Sequence, residues 1–239
     1  MNKHLLLLTL SLALCCMMFS TSAQETAKYK KGIFEIGIGM NFFGPKLQMA
    51  DLMTKYGFDD ENNSWLSSMG SSPPNPHYSK VGFTGMISYS YNIAPRSQLG
   101  ILLNYSYLDA VSGFSSYSGY LTVSFSNISL VPVYKLKVKE NTEFLAGPAI
   151  MINRGNKTNE DSDNTENYTK LSFGLLTGMR LKIWDSQKSY GKIGAYYLLT
   201  YKNKMGPYTS SASVNERVIP EDTFNFSHLN IVLAVGFKK

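Results

Sequence analysis

Apolar and polar residues alternate one by one along most of this chain, and the last alternating segment shows the pattern most clearly. There, Leu229, Ile231, Leu233, Val235 and Phe237 alternate with His228, Asn230, Val232, Ala234 and Gly236. Because successive side chains of a strand point to opposite faces, this segment predicts a strand with one continuous apolar face. The other face is mostly small or polar.

Seven further segments alternate in the same way and are bounded by turn residues. The eight predicted strands cover residues 32–43, 78–92, 98–109, 119–138, 142–154, 167–184, 189–203 and 223–237. In the fourth, the apolar residues are odd-numbered up to Phe125 and even-numbered from Ile128 to Leu136. This change of phase predicts a β-bulge near Asn127.

The connections between these strands are long and short in strict alternation. The long ones cover residues 44–77, 110–118, 155–166 and 204–222, and the short ones cover 93–97, 139–141 and 185–188. This segregation predicts an all-β fold, an eight-stranded antiparallel up-and-down transmembrane β-barrel with short periplasmic turns and long external loops. We expect its apolar face to contact lipid, its polar and charged face to line the interior, and aromatic girdles to mark both membrane boundaries.

The N-terminal region has the composition of an export signal. Lys3 and His4 precede an apolar run that is followed by small residues ending at Ala23. We expect three parts: a cleaved signal peptide at 1–23, a short periplasmic segment at 24–31, and an outer-membrane barrel domain at 32–239.

The two cysteines leave a second type of export signal open. Cys15 and Cys16 fit a lipoprotein signal, although Leu14 is larger than the residue usually found before the modified cysteine. With the cut after Ala23, both cysteines are removed with the signal, so the mature chain has no disulfide or thiolate metal site. The net charge of +6 comes without a dense cluster of Lys and Arg, so no nucleic-acid partner is expected.

The terminal strand, with Phe237 near the end, resembles the insertion signal of bacterial outer-membrane β-barrels; Lys238 and Lys239 after it are a mild departure. Residues 32–239 resemble the small outer-membrane β-barrel family of Bacteroidota, described as porin-like or PorT-like, with the eight-stranded OmpA/OmpX-type architecture. The resemblance implies a bacterial outer-membrane location, contact with outer-membrane lipid and recognition by the barrel-insertion machinery.

Charged residues fall on the predicted interior face near the periplasmic end. They are Glu35, Glu143, Arg180, Lys182 and Lys192. An eight-stranded barrel is only wide enough for side chains to fill it, and unpaired charges are costly there, so we expect an ion-pair network. Glu143 is expected to pair with Lys182 or Arg180. Both a static plug and a gate for a narrow ion path fit this pattern.

No group of residues indicates catalysis or metal binding. Ser227 and His228 face opposite sides of their strand, and Asn230 stands where a His-x-Ser deacylase pattern would place serine. His77 lies in a Pro-rich loop without an obvious partner, and the acidic stretch 161–166 lacks the glycine and glutamate of a calcium loop. We therefore expect no enzyme activity, no cofactor and no metal.

The predicted function is structural or interactive, with at most weak permeation through a plugged lumen. A short helix over 45–56 in the 44–77 loop either caps the barrel mouth or binds an extracellular or secretion-system partner. A monomer is expected. The alternatives are a small porin or channel, an accessory component of a secretion or assembly machine, and a lipid-modifying enzyme.

Overall fold

A computed structural model describes residues 32–58, 76–78, 81–115, 119–158, 166–210 and 217–238. The predicted signal peptide, the segment 24–31 and much of the first long loop lie outside these ranges. The described elements are β1 (Gly32–Phe43), α1 (Lys46–Lys55), β2 (His77–Tyr78), β3 (Val81–Ala94), β4 (Ser97–Ser115), β5 (Gly119–Lys139), β6 (Thr142–Thr158), β7 (Asn167–Asp185), β8 (Ser189–Thr200), β9 (Asn203–Met205), β10 (Tyr208–Thr209), β11 (Val218–Ile219), β12 (Asp222–Phe224) and β13 (His228–Lys238).

Eight long strands close into a ring. Strands β1, β3, β4, β5, β6, β7, β8 and β13 each pair antiparallel with their neighbours, and β13 pairs with β1. The closing register sets Glu35 opposite Gly236 and Met40 opposite Ile231. The predicted eight-stranded antiparallel up-and-down barrel is therefore confirmed. Its short-turn end carries the turns 95–96, 140–141 and 186–188, and its long-loop end carries the other connections.

The apolar faces of the barrel strands point away from the interior. On β13, Ile231 and Leu233 are 42% and 45% exposed, whereas Val232 and Ala234 are each 1% exposed. The same alternation leaves large side chains exposed around the ring, among them Ile38, Met40, Phe83, Ile101, Leu103, Leu130, Ile150, Leu175, Ile193 and Leu199. Soluble monomers rarely expose contiguous apolar patches beyond a few hundred Å². An apolar band of this kind is the surface of a transmembrane barrel. No helix of the described ranges is long and apolar enough to cross a membrane.

Aromatic side chains mark the two edges of this apolar band. Exposed rings at the short-turn end are those of Phe34, Tyr89, Tyr91, Phe144, Trp184 and Phe237, and Tyr105 and Tyr201 are exposed towards the long-loop end. The aromatic residues Tyr190, Phe224 and Phe226 also lie near strand ends, but they are buried and do not belong to the girdles. Tyr190 is an inward-facing residue of β8, and the other two lie in or beside the segment that folds over the barrel mouth.

Five predicted strand ends need correction. Strands β4 and β6 extend to Ser115 and Thr158, so residues 110–115 and 155–158, predicted as parts of long connections, belong to the barrel wall. The second strand begins at Val81, and Tyr78 pairs with β4 in the separate strand β2. Residues 203–205 and 222–224 are not continuations of the seventh and eighth strands, because they pair with each other as β9 and β12. Alternation continues through these segments, but the pattern of one strand does not identify its partner.

Strand β5 keeps one phase from Leu121 to Lys135, so the bulge predicted near Asn127 on this strand is wrong. The register shift lies on the neighbouring strand β4, between Tyr107 and Asp109, where Asp109 has φ +85°. Odd-numbered residues of β5 face the interior over this stretch, and Phe125, Asn127 and Val133 are each 0% exposed. The change in apolar phase therefore records a change of surroundings. Towards the long-loop end, the interior becomes an apolar core and the outer face becomes polar.

The interior is filled in four layers. Nearest the short-turn end is the charged cluster, which consists of Glu35, Lys135, Glu143, Arg180 and Lys192. Next is an inner apolar layer of Met86, Leu102, Val131, Val133, Leu145, Ala149, Met151, Leu176, Tyr196, Leu198, Val232 and Ala234. A polar layer of Asn41, Thr84, Asn104, Ser106, Asn127, Asn153, His228 and Asn230 follows. The cap core closes the long-loop end with Met49, Ala50, Met53, Phe58, Leu108, Val111, Leu121, Val123, Phe125, Met205, Tyr208, Ile219, Phe224 and Phe226.

Candidate functional site

The charged cluster is built by strand register. Across the pairs β6–β7 and β7–β8, Glu143 lies opposite Arg180 and Arg180 lies opposite Gly194. A Cβ atom at Gly194 would lie 2.6 Å from Arg180 Cγ, so the missing side chain makes room for the arginine. Glu35 likewise lies opposite Gly236, and Gly236 opposite Tyr190. Small residues beside large ones thus let long charged side chains meet on the barrel axis.

Glu35 is the acceptor on which most of the cluster converges. Lys135 Nζ and Arg180 Nη1 donate to its Oε2 at 2.7 Å and 2.9 Å, and Ser88 Oγ donates to the same oxygen at 2.9 Å. Tyr190 Oη and Lys192 Nζ donate to Oε1 at 2.7 Å and 3.0 Å. This carboxylate is 1% exposed and accepts from five donors. It therefore links strands on all sides of the barrel.

Glu143 completes the network from the opposite wall. Lys192 Nζ donates to Glu143 Oε2 at 2.8 Å, and Arg180 Nη2 forms an ion pair with Glu143 Oε1. Lys192 therefore bridges both carboxylates, and so does Arg180. Because every member is at most 7% exposed, these are buried ion pairs, whose removal leaves an uncompensated charge in a low-dielectric interior.

Four of the five residues predicted for the lumen network meet here, and Lys182 does not. Lys182 Nζ pairs with Asp185 Oδ2 at 2.9 Å, at the rim of the short-turn end. It lies two residues beyond Arg180 on the same face, where β7 has a register shift between Lys182 and Trp184 and solvent is accessible. A rim lysine at this position has no need of a buried partner.

Lys135 belongs to the cluster although the sequence reasoning did not name it. It is 1% exposed and donates to Glu35 and, at 3.3 Å and 3.2 Å, to Ser88 and Ser90. The sequence did contain the signal. Tyr134 and Leu136 have the lipid-facing phase of β5, so Lys135 between them has the inward-facing phase.

A cavity of about 280 Å³ reaches the charged cluster from the short-turn end. Glu143, Arg180 and Lys192 line its inner part, whereas Glu35 and Lys135 lie behind them. Its other lining residues include Gln98, Lys137, Glu140, Lys182, Asp185 and Tyr190. The cavity ends at the cluster, since the inner apolar layer fills the barrel beyond it.

The polar layer brings together a serine and a histidine that the sequence did not pair. His228 Nδ1 donates to the carbonyl of Phe226 at 2.8 Å, which leaves Nε2 to accept from Ser106 Oγ at 3.1 Å. A serine next to an oriented histidine has the chemistry of a nucleophile and its base. Both side chains are 0% exposed, however, and Ser106 also bonds with Thr84 and with Asn104. The arrangement satisfies buried polar groups.

Replacing Ser106 by alanine tests this structural role. The change leaves His228 Nε2 and Asn104 Nδ2 without a partner, so we expect the free energy of unfolding to fall by about 1–3 kcal/mol. Urea unfolding in detergent micelles measures it, with Ser126→Ala as the matched control, a half-buried serine of the adjacent strand. If instead Ser106→Ala abolished a measurable release of acyl chains from lipid while stability was unchanged, the pair would be catalytic.

At the long-loop end, α1 is fixed over the barrel mouth. The helix predicted over 45–56 is present as Lys46–Lys55, after a turn in which Gly44 has φ +94°. Its buried residues are Lys46, Met49, Ala50 and Met53, whereas Leu47 is 45% exposed. Gln48 Nε2 donates to the carbonyl of Thr223 at 2.7 Å. The helix therefore caps the barrel.

Lys46 is an unusual member of this cap. It is 1% exposed, and its Nζ has no hydrogen-bond partner among the described residues. Burial lowers the pKa of the Lys46 ammonium, and the nearby Asp109 carboxylate opposes that shift.

The fourth long connection folds into small sheets that complete the cap. Strands β9 and β12 pair, as do β10 and β11. Arg217 Nη1 donates to the carbonyls of Tyr56 and Gly57 at 2.7 Å and 3.2 Å, which joins this connection to the end of α1. Glu166 accepts from Lys157 Nζ at 3.5 Å and from the backbone N–H of Thr209 at 3.2 Å. The described parts of the long loops thus form one packed surface.

The remaining predictions concern segments that the structure describes only in part. Residues 161–165 of the acidic stretch lie outside the described ranges. Residues 59–75 of the 44–77 loop, which was predicted to cap the barrel or bind a partner, also lie outside them. Within the described ranges, no group of three or more His, Cys, Asp or Glu side chains could hold a metal ion.

No protein-family model matches the chain, and no curated protein matches it. Among solved structures, the fold is similar to the outer-membrane protein OprG from Pseudomonas aeruginosa, with a TM-score of 0.46 and 12% identity over 88% of this chain and 97% of OprG. It is also similar to Ail, the attachment invasion locus protein of Yersinia pestis, with a TM-score of 0.42 and 10% identity over 88% of this chain and 99% of Ail. A third similar structure is the outer-membrane protease OmpT from Escherichia coli, with a TM-score of 0.43 and 9% identity over 90% of this chain and 99% of OmpT.

These neighbours are outer-membrane β-barrels, in agreement with the strand pairing described above. At identities of 9–12% they carry no inference about the activity of this chain. The finer resemblance to PorT-like proteins of Bacteroidota finds no support in these similarities and stays a prediction.

Proposed function

We propose that this protein is a monomeric, non-conducting barrel of the bacterial outer membrane that acts through the packed surface at its long-loop end. The observation that carries the proposal is the filled interior. A charged cluster, an apolar layer, a polar layer and the cap core follow one another along the lumen. A solute passing through would have to displace all four.

The outer band supports the location. Closed barrels satisfy every backbone hydrogen bond within the ring, which is why they can span lipid, and in bacteria such barrels belong to the outer membrane. In this proposal, β13 with its apolar outward face, Leu229, Ile231, Leu233, Val235 and Phe237, is the strand that the barrel-insertion machinery recognises. The short-turn end then faces the periplasm and the cap faces the exterior.

Labelling of single cysteines on intact cells tests location and orientation together. The chain's two cysteines, Cys15 and Cys16, lie in the predicted signal peptide, so an introduced thiol would be the only one in the processed protein. We expect Val218→Cys, at an exposed position of the cap, to react with a membrane-impermeant maleimide. Lys139→Cys, exposed beside a short turn, should react only after the cells are opened. If Lys139→Cys but not Val218→Cys were labelled on intact cells, the barrel would have the opposite orientation, with its short turns facing the exterior.

Electrical recording tests the closed lumen. Because no layer of the lumen is open, we expect purified barrels in planar bilayers to give no stable unitary conductance. Steps of constant size that depend on properly folded barrel would contradict the proposal and favour the channel alternative.

The surface role depends on a preorganised cap, because binding then costs little ordering of loops. Arg217→Ala removes a charged donor from two carbonyls of the α1 end. We expect it to destabilise the cap locally by about 1.5–3 kcal/mol and to raise amide hydrogen exchange in α1 by tenfold or more. Lys204→Ala, an exposed lysine of β9, is the matched control. Equal exchange in both variants would show that Arg217 does not fix the helix.

A place in a secretion or assembly machine is one form that this surface role can take. It predicts that a partner co-purifies in fixed stoichiometry with the wild-type barrel and is lost from the Arg217→Ala variant. The lipid-modifying enzyme receives no such support, because the Ser106–His228 pair is fully buried.

A further inference from the structure

The charged cluster is not electrically balanced. Its described members are the two carboxylates Glu35 and Glu143 and the three cations Lys135, Arg180 and Lys192. One positive charge is therefore uncompensated inside the barrel. Burying an unpaired charge is costly, so such a cluster either binds a counter-ion or loses a proton.

Donors are also in excess on the side that faces the cavity. Glu35 accepts from five donors and lies behind the cluster, and both carboxylate oxygens of Glu143 are already paired, one with Arg180 and one with Lys192. Arg180 Nε is buried without a hydrogen-bond partner among the described residues. Both cations line the cavity, and solvent can enter it from the short-turn end.

The rim of the cavity does not supply the missing negative charge. Lys182 and Asp185 pair with each other at 2.9 Å, and the remaining charged lining residues, Lys137 and Glu140, are both exposed at the strand ends. With about 280 Å³, the cavity has room for a small anion together with several waters.

We propose that the barrel binds one small monovalent anion, a halide or a compact oxyanion such as nitrate, in the short-turn cavity against Arg180 and Lys192. The anion balances the third cation of the cluster and accepts the surplus N–H donors. The site belongs to the barrel's interior and is independent of any partner at the long-loop end. It therefore stands or falls separately from the surface role proposed above.

The line width of the ³⁵Cl NMR signal, measured with purified full-length barrel in detergent, tests the proposal. Chloride bound to the barrel broadens the signal, and added nitrate should sharpen it again by competition. We expect saturable broadening that corresponds to one site per barrel. Crystals grown with bromide should show one anomalous peak within hydrogen-bond distance of Lys192 Nζ or the Arg180 guanidinium.

Two substitutions of opposite sign make the test specific. Lys135→Met neutralises a cation that does not line the cavity, so it should weaken chloride by about tenfold or more through charge alone. Glu143→Gln removes one negative charge, so the net charge of the cluster rises by one unit, and the affinity for chloride should increase by a similar factor. Lys139→Met, a matched lysine-to-methionine change on the same strand at an exposed position outside the cavity lining, should change affinity by less than about twofold.

Three outcomes overturn the proposal. Wild-type barrel that gives no saturable broadening would show that the cluster sheds a proton instead of binding an anion. Loss of binding in Lys139→Met with full binding in Lys135→Met would place the anion outside the cavity, on the exposed short-turn end. Weaker chloride binding by Glu143→Gln would show that charge balance does not govern the site. If Lys135→Met fails to fold, the wild-type measurement and the Glu143→Gln variant still decide.

Discussion

Replacing Glu35 by glutamine should lower the free energy of unfolding of the barrel by about 3–5 kcal/mol, the cost of breaking a buried ion network from one side. Glu35 accepts from Lys135, Arg180 and Lys192 as well as from two hydroxyl groups. Glutamine keeps the size of the side chain but removes its charge. Three buried cations would then face a single carboxylate.

Urea unfolding in lipid vesicles, followed by the loss of heat-modifiable migration on gels, measures this effect. Glu140→Gln is the matched control, because Glu140 is exposed in a short turn and its loss should cost at most about 0.5 kcal/mol. Glu143→Gln should fall between the two, since Glu143 accepts from fewer donors. The double variant Glu35→Gln with Lys135→Met should recover part of the loss. Equal costs at Glu35 and Glu140 would mean that the cluster does not hold the barrel together.

An arginine at Leu175 should destabilise the inserted barrel by about 2–4 kcal/mol, the cost of a cationic side chain at the bilayer midplane. Leu175 is 45% exposed on the outer face of β7, midway between Leu171 and Met179 on the same apolar face. In water such a substitution would be nearly neutral or would raise solubility. The sign of the effect therefore reports whether lipid covers this face.

Thr169→Arg supplies the comparison, because Thr169 lies on the same face of the same strand but nearer the long-loop end. Its cost should be about 0–1 kcal/mol, as expected near the membrane boundary. Unfolding of both variants in vesicles of one lipid composition gives the difference directly. Equal small costs at the two positions would show that the outer face of β7 does not contact the lipid of a bilayer.

Alternation along the chain is enough to predict the barrel wall, because a half-buried strand selects side chains with period two whatever its neighbours are. The same rule places Glu35, Glu143, Arg180 and Lys192 inside, since each stands out of phase with the apolar face of its strand. Their convergence also follows from the narrow width of eight strands.

Contacts between segments that are far apart in sequence could not be predicted in this way. Ser106 and His228 are 122 residues apart and meet only because the ring closes in one register. Phe224 and Phe226 are aromatic residues near a strand end, as girdle residues are, but their chain segment bends over the barrel mouth and buries them. Lys182 has the inward phase, and only its distance from the strand end separates it from Arg180. Periodicity identifies a face but gives neither depth nor partner.

The position on β5 at which the apolar residues change from odd-numbered to even-numbered marks how far the strand lies within the membrane. It places the outer lipid boundary near Asn127, and residues 119–127 of the strand continue beyond it. At about 3.4 Å per residue and a tilt of about 40°, this part of the wall rises roughly 20 Å above the bilayer. The cap is thus held above the membrane by the barrel wall. A molecule that contacts the cap can therefore do so without displacing lipid.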